Sequence, residues 1–209
     1  MITLYQKDNL RLLVGKVAQE PRFTDRDGSR VATVRIEDRN GDKVDIYFKN
    51  DPSAGKYLAD RVEKAKISAD KWLSVLVAMK DDNSATATGI EFKYAGVWTF
   101  KGDENKETNI MVGYSIRPER SREDIFKVSM AADIYNGGKT ETRWYGISFF
   151  DDEKTLFSKI AEKALSIEGR KSVPCAIRCS KLKTSEKDGR TYFNLVGYRV
   201  EPMYSQQAA

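Results

Sequence analysis

Two hydrophobic rhythms alternate along this chain, and they do so twice in the same order. Leu10–Val17 and Val31–Ile36 carry apolar residues in the strand pattern, with Asp27-Gly28 between them as a hairpin signal. Val44–Lys49 alternates as a third strand. Over Ala54–Lys66 the spacing lengthens to that of a helix, with Leu58, Val62 and Ala65 on one face. Trp72–Met79 and Ile90–Val97 return to the strand pattern. The second half follows suit, with strands near Ile110–Ile116, Phe126–Ile134 and Trp144–Phe150. A helix over Lys154–Ser166 then places Leu156, Ile160 and Ala164 on one face. Strands near Val173–Leu182 and Thr191–Val200 close the series, with Asp188-Gly189 at their hairpin.

Short words recur with the pattern. Leu13-Val14-Gly15 returns as Met111-Val112-Gly113, Glu63-Lys64-Ala65 as Glu162-Lys163-Ala164, and Ala95-Gly96-Val97 as Val196-Gly197-Tyr198. Three strands, a helix and two strands is the order of the five-stranded OB barrel, a closed Greek-key barrel with few free edges. The expectation is an all-β chain with one short helix per domain, built as two tandem OB-fold barrels. Residues 1–102 would form the first and 109–209 the second. The polar stretch Lys101–Thr108 supplies a linker at 103–108. The OB fold hosts many functions, so fold alone decides none.

Composition narrows the classes. The chain has 209 residues, 40% hydrophobic, 32% charged and 11% aromatic, which argues against global disorder. No apolar run approaches the roughly 20 residues of a membrane span. The start, MITLYQKDNLRLLVG, lacks the charged leader and apolar core of a secretory signal, so a cytoplasmic protein is expected. Cys175 and Cys179 lie four strand residues apart, about 13 Å between Cα atoms, and read as reduced structural thiols. There is no histidine. That removes histidine acid–base catalysis, histidine-paired nucleophiles and histidine metal ligands. With no phosphate-cradling glycine loop and no acidic metal motif either, the expectation is a binding protein rather than an enzyme, with no cofactor, no metal and no small-molecule substrate. Net charge is +5. Through Glu104 there are 18 basic and 17 acidic residues, and after it 18 and 14, so the positive bias lies in the second half. A polyanionic partner suits that balance.

The third strand of the second half carries the most distinctive pattern. Tyr145, Ile147 and Phe149 share one face, a barrel interior; Trp144, Gly146, Ser148 and Phe150 share the other. Two aromatics around a floor of small residues leave room for flat rings, and base–aromatic stacking tolerates any sequence. Packing of Trp144 or Phe150 on a neighbouring domain or a dimer partner is the competing reading. In the first half the matching outward residues are Tyr47 and Lys49, joined by Arg22, Phe23, Arg26 and Arg30 of the first hairpin. The late hairpin of the second half carries Lys181, Lys183, Lys187, Arg190 and Tyr192; its counterpart Lys80–Gly89 has Asp81 and Asp82. The second copy is therefore expected to bind more strongly. Trp72 and Trp98 read as core or interdomain residues.

Several of these segments resemble bacterial single-stranded DNA-binding proteins. Leu12-Leu13-Val14-Gly15-Lys16-Val17, then Glu20-Pro21-Arg22-Phe23-Thr24 and Gly28, is similar to the family's first hairpin. Phe126–Ala132 followed by Thr142–Phe150 resembles its next two strands, and Lys181–Tyr192 its long basic hairpin. The resemblance implies a second stacking aromatic at Tyr135. It implies sequence-tolerant binding of single-stranded DNA during replication, recombination or repair, and a homodimer in which four barrels share one strand. An RNA-binding OB protein and an OB adaptor for proteins are the alternatives. Two departures stand out: Lys183 or Thr184 occupies the place of the family's hairpin tryptophan, and the chain ends Tyr204-Ser205-Gln206-Gln207-Ala208-Ala209 instead of in an acidic, aromatic-ended tail. A phage or mobile-element version would fit the different ending.

Overall fold

The computed structural model describes residues 1–81, 83–93, 96–101, 107–136, 139–180 and 182–204; within them, side chains at 89–93, 133–136 and 139–140 are outside the description. The chain divides into two compact units, Met1–Tyr94 and Ala95–Ala209.

Unit 1 runs β1 (Ile2–Lys7), β2 (Leu10–Val17), β3 (Arg22–Arg26), β4 (Ser29–Glu37), β5 (Lys43–Asp51), β6 (Lys56–Tyr57), α1 (Leu58–Lys64), β7 (Trp72–Met79) and β8 (Ser84–Lys93). Strands pair in the order β2-β7-β8-β5-β4, and β4 returns to β2, which closes a five-stranded barrel. β5 and β8 run parallel, as the Greek key requires. Closure brings β2 against β4 at Lys16↔Glu37 and Val17↔Ile36. Gly15 sits at this crossing: a Cβ there would lie 2.9 Å from the Glu37 carbonyl oxygen. The core holds Leu13, Val34, Ile36, Ile46, Phe48, Val62, Leu73 and Val75.

Unit 2 runs β9 (Gly96–Lys101), β10 (Glu107–Arg122), β11 (Ile125–Asn136), β12 (Lys139–Phe150), α2 (Phe157–Leu165), β13 (Ser172–Cys179), β14 (Lys183–Lys187) and β15 (Arg190–Pro202). The order β11-β12-β15-β13-β10 closes through β10–β11, again with a parallel pair, β12–β15. Both units are thus OB-fold barrels, with Met111, Phe126, Met130, Ile147, Phe149, Cys175 and Ile177 filling the second.

The repeat extends to polar details that the sequence words do not show. Asn50 Oδ1 accepts from the Ala59 N–H at 2.8 Å, and Asp151 Oδ1 accepts from the Ser158 N–H at 2.7 Å. In each unit the end of the third barrel strand thereby satisfies an orphan donor of the helix that follows. In each unit an arginine from the first hairpin also grips a helix glutamate: Arg30 holds Glu63 at 2.8 and 2.9 Å, and Arg120 holds Glu162 at 2.5 to 3.1 Å.

Four sequence expectations change. The strand read at Ile90–Val97 is two strands, because β8 pairs with β7 as far as Lys93 while β9 pairs with β10 from Gly96 onward. The pairing of Ala95-Gly96-Val97 with Val196-Gly197-Tyr198 falls with it: β9 opens unit 2, and β8 is the partner in kind of β15. Likewise β9 lies within unit 2, and Glu107 and Thr108 of the expected linker belong to β10; linker residues 103–106 lie outside the described residues. The first helix is shorter than Ala54–Lys66 because Pro52–Ala54 forms a 3-10 turn ended by Gly55 at φ +63°, and Ala65 is exposed. In the second helix, Leu156 and Ile160 are exposed; Ser158, Ala161, Ala164 and Leu165 face the barrel instead. Polar bonds anchor this buried side: Asp151 and Arg120 both bond Ser158, and Arg120 holds Glu162. Small residues then let it approach the barrel closely.

Candidate nucleic-acid interface

The outward face of unit 2 is assembled by strand register. β12 alternates buried Tyr145, Ile147 and Phe149 with outward Trp144, Gly146, Ser148 and Phe150. Trp144 is 52% exposed and Phe150 40%. Six strand residues separate them, about 20 Å. Between them the floor is low, since Gly146 has no side chain and a Cβ there would meet Asn194 Oδ1 at 3.3 Å.

The neighbouring strands add to the same face. β11 sets Lys127 opposite Ser148 and Ser129 opposite Gly146. β15 sets Asn194 beside Gly146 and Val196 beside Ser148. The Asp188-Gly189 turn, with φ +51° and +68°, folds β14 back onto β15 as a tight two-residue hairpin. Its register puts Lys183 opposite Asn194, Ser185 opposite Tyr192, and Lys187 opposite Arg190. Directly opposed residues share a side of the sheet. Lys183, Lys187, Arg190 and Tyr192 therefore point the same way as Asn194, Gly146, Trp144 and Phe150. The aromatic shelf and the basic hairpin, far apart in the chain, form one surface.

Sequence reading missed three members of it. Val196 and Tyr198 are exposed on β15 in step with Tyr192, and Lys127 is exposed on β11. The period-two series Tyr192, Asn194, Val196, Tyr198 was the available signal. Lys181 lies outside the described residues; Tyr135 pairs with Thr140 in the outer arm of β11 and β12, its side chain outside the description.

In unit 1 the expected residues separate into two groups. Arg22 pairs with Thr33, and Thr33 with Tyr47, so these share the outward face with Lys49 two residues along. Arg26, Tyr47, Lys49 and Lys80 line a cleft of about 350 Å³ on that face. Phe23 and Arg30 lie on the other side of the hairpin: Phe23 opposes the buried Ala32, and the Arg30 guanidinium sits 4.9 Å over the Phe23 ring. Arg30 is committed to Glu63 and Asp60, and those carboxylates raise its pKa. Arg35 clamps Asp45 at 2.7 and 2.8 Å, removing that carboxylate as a source of repulsion on the outward face.

No protein-family model matches the chain, and no curated sequence matches it. Among solved structures, a deletion mutant of the single-stranded DNA binding protein from Thermus aquaticus is similar over 96% of each chain, at 12% identity and a TM-score of 0.30. Strand pairing and barrel closure define both OB folds.

Both thiols are locked away. Cys175 and Cys179 are free and buried, and burial pushes the Cys175 thiol up to about 12 and the Cys179 thiol higher still. Trp98 is buried, in keeping with a packing role, whereas Trp72 is only partly so. Among the described residues, no helix is long and apolar enough to cross a membrane.

Proposed function

We propose that the protein binds single-stranded DNA with little sequence preference and protects it during replication, recombination or repair in the cytoplasm. One observation carries this reading: half-exposed Trp144 and Phe150, a glycine–serine floor between them, and Tyr192, Lys183, Lys187 and Arg190 on the same face. Flat bases have aromatic surfaces to lie on, and the phosphates have cations at the hairpin. Half of Trp144 stands clear of its own barrel's core, so its ring is open to a base. A homodimer that doubles the binding track belongs to the same proposal.

The test is a titration with oligo-dT, oligo-rU and duplex DNA of equal length at two salt concentrations. Oligo-dT binds well and duplex poorly, because stacking needs unpaired bases. Equal affinity for duplex overturns the reading. Tighter binding of oligo-rU moves the substrate to RNA, where a 2′-hydroxyl contact would account for it.

A further inference from the structure

The late loop of unit 1, acidic by sequence, delivers a cation into the cleft. Its turn is tied at several points: the Lys80 N–H donates to the Ser84 carbonyl at 3.0 Å, and the Asp45 N–H donates to the Asn83 carbonyl at 2.9 Å. Asp81 is spent inside the turn. Its carboxylate accepts from the Asn83 N–H at 2.9 Å and from the Ser84 hydroxyl, and these bonds hold its pKa below the usual value. Lys80 Nζ lies 5.3 Å above the Tyr47 ring. That ring face is where a base would stack.

The same cleft holds an unsatisfied group. Thr86 pairs with Tyr47 across β5 and β8 and lines the cleft beside Lys49; its hydroxyl oxygen is buried and finds no hydrogen-bond partner among the described residues. A buried hydroxyl without a partner is costly, and a shift of the cleft wall would be needed to open it to a ligand oxygen or amide.

We propose that Lys80 changes partner on binding. In the free protein its ammonium occupies the face of Tyr47; in the complex a base of the single strand takes that place, and Lys80 moves to the phosphate of the same nucleotide. This rests on the reading of single-stranded DNA binding above and adds to it a second nucleotide site with its own gate. The exchange is favourable because a solvent-exposed cation–aromatic contact is weak, whereas base stacking is stronger and a phosphate offers the ammonium a full opposite charge. Lys80 so acts as a placeholder that keeps the Tyr47 face free of other occupants.

The full-length protein tests this by NMR of its lysine side chains. The Lys80 methylene signals are displaced by the Tyr47 ring current in the free protein, and Tyr47→Ala abolishes that displacement. Saturation with oligo-dT also removes it. Lys80→Gln lowers the log–log salt slope of binding by about 0.7, one phosphate on a single strand, without changing the melting temperature. Signals that stay displaced at saturation, or an unchanged slope, overturn the exchange while leaving the unit 2 surface standing. Failure of the wild-type protein to bind oligo-dT overturns the functional reading itself, and this inference with it.

Discussion

Trp144 and Tyr47 both stand on the outward faces of the two third strands, yet their settings differ. Trp144 is more than half exposed above glycine and serine, whereas Tyr47 is partly buried and already covered by Lys80. Trp144→Ala should cost on the order of 1–3 kcal/mol of oligo-dT binding, and Tyr47→Ala less. An exposed side chain contributes little to folding, so Trp144→Ala should melt within roughly 0.5 kcal/mol of the wild type. Calorimetric titration and thermal melting check both halves. A stable variant with full affinity moves the primary site to unit 1; a strongly destabilised one makes Trp144 a packing residue.

At the scale of elements, the hairpin of β14 and β15 supplies charge and the helices supply anchorage. Replacing Lys183, Lys187 and Arg190 together with glutamine should flatten the salt slope by roughly 0.7 for each phosphate these side chains neutralise, whatever oligonucleotide is used. An unchanged slope places the hairpin away from the backbone. The helix anchors respond to pH. Arg120 holds the Glu162 carboxyl below its usual value, and Arg30 does the same to Glu63. A carboxyl depressed in the folded state contributes stability above its unfolded pKa, near 4.5, and loses it as pH falls through the lower folded value. Melting temperature should therefore drop below about pH 4.5, and Glu162→Gln should flatten that acid limb while lowering the neutral plateau. An acid limb identical in the variant removes the ion pair from the account.

For the whole molecule, the proposed homodimer would bring four barrels to one strand. Light scattering at micromolar concentration should read twice the 23.7 kDa chain mass; a monomer mass refutes the homodimer. The two units share a barrel and a helix anchorage but differ in outward chemistry. Unit 2 presents an aromatic shelf with a basic hairpin, and unit 1 a cleft with one guarded tyrosine. Divergence of this kind is expected of duplicated barrels, because inward positions are constrained by packing and outward ones are not.

The sequence by itself determined what local periodicity and turn chemistry can encode. Leu10–Val17 and Trp72–Met79 form at their expected bounds, both Asp-Gly turns form, and the order of three strands, helix and two strands yields the OB barrel. Tertiary structure decided whatever depends on partners distant in the chain. The run through Ile90–Val97 divides between two units because its two ends find different hydrogen-bonding partners, which no local pattern reports. The second helix turns Ile160 to water and packs Ala161, Ala164 and Leu165 inward, with Arg120, 42 residues before Glu162, bonded to its outer edge. Arg30 and Lys80 show the same for charge. Counted by composition, the first is a free cation and the second lies in an acidic loop. In space Arg30 is bound by Glu63 and Asp60, while Lys80 stands over an aromatic ring with its neighbouring acid already satisfied.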